Sequence, residues 1–168
     1  MMTQARAAMA RWMSFSVLLL LSVILQAMVF PRVSAVPNPM LSVAAVISLA
    51  VFSGPAGGAA AGFICGLLCD ALLGTEAYFS LTMMGAGAVT GFLCGRVLQK
   101  TFWPAFLMSS VSIFVIESAY ILFFQIAARG VPLRAFVGAG LPGMLAGILC
   151  VPLVYPAFRA VAKHFPND

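Results

Sequence analysis

Residues 54–74 read GPAGGAAAGFICGLLCDALLG, and the fold turns on this stretch. Stepping in fours from its first residue gives Gly54, Gly58, Gly62, Gly66, then Asp70, then Gly74. Glycine at that spacing opens a groove along one face of a helix, where a second helix can approach backbone to backbone. In water each glycine would cost the helix about 1 kcal/mol against alanine. In lipid the backbone has no competing partner and bonds to itself. The stretch therefore predicts a membrane helix with one carboxylate set into a row of glycines.

The rest of the chain agrees. Of 168 residues, 63% are hydrophobic and 8% charged, whereas soluble domains carry about 25% charged residues. A span takes about 20 residues, which leaves room for five or six helices and no separate soluble domain. The expected fold class is all-α, a polytopic six-helix transmembrane bundle forming one integral-membrane domain. Its spans are expected near 12–30, 40–52, 55–73, 78–98, 104–125 and 136–154. The formal charge of +5 comes from nine basic residues scattered at span ends, so they mark topology and form no nucleic-acid surface. Cys65, Cys69, Cys94 and Cys150 all lie in apolar segments without a C-x-x-C pair or other ligands nearby. They read as small packing residues, with no metal site and no cofactor expected.

Arg6 and Arg11 precede the first apolar run. The same features fit a signal peptide cleaved after Val33-Ser34-Ala35, but the run exceeds an ordinary signal core, which favours a retained helix. Pro31, Pro37 and Pro39 stiffen the loop that follows. The second span is short at thirteen residues, which calls for a small tilt, extension into its flanks or a thinned bilayer. Ser53-Gly54-Pro55 offers a cap, a turn and a first-turn proline, so spans two and three should form a tight hairpin. Span four repeats the glycine spacing at Gly87, Gly91 and Gly95, and span six carries Gly140, Gly143 and Gly147, with kinks expected at Pro142 and Pro152.

Six spans put both termini on one side. With the ends inside, the cytoplasmic segments hold Arg6, Arg11, Arg96, Lys100, Arg159 and Lys163, against Arg32, Arg129 and Arg134 outside. Trp12 and Trp103 then fall at the inner interface.

Three features are candidate sites. Asp70, near the outer end of span three, is expected to pair with an outer-loop arginine such as Arg134, or with an arginine of a second subunit in a homo-oligomer. Glu117 lies near the middle of span five, with Tyr120 one turn on and Ser110 two turns back. Its carboxyl is expected to be protonated or hydrogen-bonded to such neighbours, and a structural interhelical hydrogen bond is favoured over proton-coupled transport, because no second acid shares its helix and no histidine lies in any span. The glycine rows would pack the chain's own helices, with one surface left for a partner helix. Enzyme chemistry has no foothold: the one histidine is His164 in the tail, and no phosphate-binding loop, serine elbow or metal cluster occurs.

The run Pro37-Asn38-Pro39-Met40-Leu41, followed by Gly54, Gly62-Phe63, Gly66-Leu67-Leu68, Asp70 and Gly74, resembles the bacterial rod shape-determining MreD family. That family typically reads Pro-Asp-Leu-Leu before span two and G-F-x-x-G-L-x-x-D-x-x-x-G across span three. The likeness covers about residues 37–95, with Asn38 where an aspartate is common and Tyr78-Phe79-Ser80 where a glycine is often found. The resemblance implies a non-catalytic scaffold of the cell-elongation machinery in the bacterial inner membrane. Its implied partner is the bitopic protein MreC, and through it the actin-like MreB and the peptidoglycan synthases. The fold implied is that of the substrate-binding subunits of energy-coupling-factor vitamin transporters. Such a subunit is the alternative function, although the outer loops offer little aromatic lining for a vitamin.

Overall fold

The computed structural model describes residues 2–29, 40–96, 101–127 and 140–164, all of which are helical or in short connections. Helix α1 (Met2–Ile24) runs on into a wider π-helical stretch, Leu25–Val29. Helix α2 is Leu41–Leu73, α3 is Tyr78–Arg96, and α4 is Phe102–Tyr120, continued by π-helical turns over Ile121–Ala127. Helix α5 is Leu141–His164. Five helices are long and apolar enough to cross a membrane. The outer surface is correspondingly greasy: Leu149 and Leu153 on α5 are 75% and 76% exposed. Buried serines with leucines outside suit lipid, not water. The chain is a multipass membrane protein.

The 33 residues of α2 do not form a straight rod. Gly54 has φ 79° and ψ −174°, a conformation open essentially only to glycine. The cause is local. Pro55 bars the α conformation from the residue before it, and the missing side chain lets Gly54 take the one extended alternative with positive φ. The two arms, 41–53 and 55–73, fold back on each other. In a straight helix Ser42 and Cys69 would lie about 40 Å apart, yet the Cys69 thiol donates to the Ser42 hydroxyl at 3.6 Å. The expected hairpin is present. Its turn needs no cap from Ser53, whose hydroxyl donates backwards to the Leu49 carbonyl at 2.9 Å.

The first arm is the core of the molecule. From Leu41 to Val51 no residue exceeds 4% exposure. Ala44, Ala45, Ala50, Ser42 and Ser48 keep it slender enough for neighbours on every side. Val43 and Ile47 share one buried cluster with Ile113 and Ile116 of α4, while Ala45 and Leu49 share another with Phe15 of α1 and Phe158 of α5. A helix apolar all round belongs inside a bundle. The short arm is enclosed by its neighbours over those residues, so its length needs no accommodation from the bilayer.

Helix α5 extends ten residues past the expected end of span six at 154. Tyr155 and Phe158 are buried and hold that extension against the bundle. Phe158 stacks on Phe15 at 5.8 Å, and Tyr155 meets Phe102 at 5.5 Å.

Candidate functional site

The second arm of α2 and helix α3 lie antiparallel, and the glycine rows face each other. A methyl group on Gly58 would overlap the Gly87 carbonyl, and one on Gly87 would overlap the Gly58 carbonyl. At Gly62 it would sit 2.6 Å from the Met83 carbonyl carbon, and at Gly91 2.6 Å from the Pro55 nitrogen. At Gly66 it would run into the backbone of Phe79 and Ser80. The backbones touch along four turns. At Gly58, Gly62, Gly66, Gly87 and Gly91 the rows pack the chain's own helices, the first of the two roles expected of them, and that groove is filled by the chain itself. Gly95 is the exception in its row: it is exposed, with nothing within 4 Å of an added methyl.

Asp70 continues the row at the point where the backbones part. Its main-chain carbonyl accepts from Gly74 N at 2.8 Å and Thr75 N at 3.2 Å, closing α2, and Gly74 takes φ 68° as the left-handed cap. Its carboxylate opens the next helix. Oδ1 accepts from the Thr75 hydroxyl at 2.6 Å and Phe79 N at 2.9 Å, while Oδ2 accepts from Ser80 N at 2.8 Å and from the Ser80 hydroxyl. Phe79 and Ser80 belong to the first turn of α3, whose N–H groups have no partner within the helix. The residue that would ordinarily cap them is Ala77, which has no side-chain acceptor and sits at φ 57°. Asp70 supplies the missing cap from the preceding helix, with the helix dipole in its favour. Among the described residues Asp70, only 7% exposed, meets N–H and O–H donors. Arg134, with Arg32 and Arg129, lies outside the described residues.

Glu117 is 7% exposed, and its Oε2 is buried without a hydrogen-bond partner. Among the described residues no interhelical bond to that oxygen is present. Ser110 spends its hydroxyl on the Phe106 carbonyl at 2.8 Å, and the Tyr120 ring lies 5.3 Å from Phe79 and 6.0 Å from Tyr78. Tyr78 in turn donates to the Ile116 carbonyl at 2.8 Å, passing over the carboxyl next to it.

Three further buried hydroxyls were not singled out by sequence. Val51, Cys94 and Ala105 share one cluster between the first arm, α3 and α4. One turn deeper come Ser48, Thr90 and Ser109, each 0% exposed and each with an unpartnered hydroxyl. At the far end of the same arm the Gln26 side chain accepts from Ser42 N at 2.9 Å, filling an orphan position at the start of α2. The serines and threonine are unremarkable in sequence; only the register of three helices brings them to one level.

The described residues hold no group of three histidine, cysteine or acidic side chains able to bind a metal. The four cysteines are free thiols. Comparison with known proteins gives no match to a family model, a curated protein or a solved structure.

Proposed function

We propose that this chain is a non-catalytic membrane scaffold of the bacterial cell-elongation complex, of the MreD type. The observation that carries the proposal is the closed unit formed by α2 and α3. The residues that carry the resemblance, Gly54 through Asp70 to Gly74, are also the ones that fold the hairpin, seat α3 against it and cap it. A module whose aspartate is spent on its own backbone and hydroxyls suits a platform better than a reaction centre.

On this reading the arms of α2 count as separate crossings, giving six and placing both termini in the cytoplasm of a bacterial inner membrane. The likeness to the energy-coupling-factor subunits belongs to the same proposal. The partner is a bitopic protein of the MreC type, which links the scaffold indirectly to actin-like MreB and to peptidoglycan synthases. Its transmembrane helix packs outside the glycine groove, since that groove is full.

Affinity purification of the tagged chain from its native membrane in mild detergent tests this. The expected companion is a protein with one transmembrane helix and an extracellular coiled coil, and depletion of the chain should round the cells. Recovery of an ATPase pair with a bound vitamin instead, or cells of unchanged width after depletion, would overturn it.

A further inference from the structure

Helix α1 does not close against the second arm of α2. A cavity of about 280 Å³ separates them, walled by Trp12, Leu19 and Val23 on one side and Ala60, Ile64 and Leu68 on the other. A second cavity of about 140 Å³ shares Val23 and continues to Ala27 and Leu72. Together they make one seam running from Trp12 to Ala27, about 22 Å at 1.5 Å per residue. Ile64 and Leu72, both 60% exposed, leave its side open to the bilayer.

The dimensions choose the occupant. A helix about 10 Å across would fill roughly 1,700 Å³ over that length, several times what the seam offers. A single alkyl chain is narrow enough, and about 22 Å exceeds the depth of one leaflet of a 30 Å hydrocarbon core.

One end of the seam is charged. Arg11 lies one turn before Phe15, with its guanidinium carbon 5.9 Å from that ring. Phe15 stacks on Phe158 at 5.8 Å, which brings the last turns of α5, with Arg159 and Lys163, beside the start of α1 and Arg6. The acidic side chains of the described residues lie on the opposite half, Asp70 and Glu76 about the α2–α3 turn and Glu117 beside the Ile116 carbonyl that Tyr78 reaches. Trp12 stands at the same end as the arginines, its ring tip 2.9 Å from where a methyl on Gly57 would be.

We propose that this seam is a binding site for an anionic phospholipid. One acyl chain lies between α1 and the second arm of α2, and the headgroup phosphate rests at Arg11, with Arg159 and Lys163 beside it. The apolar walls select a chain, and the basic end selects the headgroup charge.

The test uses the full chain carrying Trp103→Phe, so that Trp12 is the one emitter among the two tryptophans. It is reconstituted in phosphatidylcholine vesicles holding a minor fraction of lipid brominated high on the acyl chain, either phosphatidylglycerol or phosphatidylcholine. Trp12 quenching should show a roughly fivefold preference for the phosphatidylglycerol, as expected for one cationic side chain at an anionic headgroup. Arg11→Gln combined with Arg159→Gln should bring the preference to near parity, and Arg11→Lys should retain it. Ala60→Phe, which fills the seam and leaves the cations alone, should reduce quenching by both lipids. Equal quenching by the two lipids in the parent protein would overturn the site, as would a preference indifferent to the arginine pair. Quenching by neither lipid would mean that protein, not lipid, closes the seam, and would overturn it equally.

Discussion

Gly58 and Gly87 face each other across the α2–α3 interface so closely that a methyl on either would strike the other's carbonyl. No rotamer change can relieve that overlap, because the obstacle on each side is backbone. Gly58→Leu and Gly87→Leu should each destabilise the bundle by at least about 1–3 kcal/mol, the usual range for overpacking. Gly95→Leu, with open space around it, should leave the melting temperature in detergent near that of the parent. Thermal unfolding followed by size exclusion separates the two outcomes. Equal sensitivity at Gly87 and Gly95 would contradict the packing.

Asp70 should be needed for the fold whether or not any partner is present. Asp70→Ala removes an acceptor for four donors and should cost about 1.5–3 kcal/mol or more. Asp70→Asn keeps one oxygen but turns an amide N–H₂ toward donors, so it should recover only part of the loss. Unfolding of the purified chain alone measures this. Parent-like stability of Asp70→Ala in isolation would assign the aspartate to a partner instead.

Backbone strain gives two predictions of opposite sign. Ala77 sits at φ 57°, where a non-glycine residue costs about 1–2 kcal/mol, so Ala77→Gly should raise stability by about 1 kcal/mol. Gly54 sits at φ 79° with nothing within 4 Å of an added methyl. Gly54→Ala should therefore cost about 1–3 kcal/mol through conformation alone, without a clash. Thermal melts of the two single variants check both signs.

The hydroxyls of Ser48, Thr90 and Ser109 are buried without partners. Thr90→Val exchanges an unpartnered hydroxyl for a methyl of similar shape and should stabilise by about 1–2 kcal/mol. Ser48→Ala and Ser109→Ala should shift the melt the same way by less, since each also leaves a small void. A loss of stability at all three would show that the hydroxyls are bonded after all.

Much of the fold was legible because hydropathy and chain punctuation are local signals. Apolar runs locate the helices, and Gly54-Pro55 announces the fold-back, since proline acts on its immediate neighbour. The glycine rows were legible as packing grooves, but not which helices they would join. Spacing in fours on two helices is compatible with their meeting each other or a third helix, and only the antiparallel register pairs Gly58 with Gly87. The role of Asp70 was hidden for a similar reason. Caps are normally sought at the residue just before a helix, and this one arrives from the helix before. Thr75 and Ser80, flanking the start of α3, were the available hint. The enclosure of the short span 40–52 was not legible, because alanine, valine and leucine look alike whether they face lipid or protein. Glu117 ran against expectation: its helix offers Ser110 at useful spacing, and that hydroxyl bonds to the Phe106 carbonyl instead.

The enclosed arm also bears on how the molecule is made. Residues 41–51 present no side to hydrocarbon once folded, and carry two serines along a length too short to cross unaided. Such a segment has little reason to leave the insertion channel by itself. The rigid Gly54-Pro55 corner couples it to the lipid-ready arm that follows, so the pair should enter the membrane as one piece. The enclosing helices α3, α4 and α5 are all synthesised later, which makes the chain's vulnerable interval the time between the release of that hairpin and the arrival of α5.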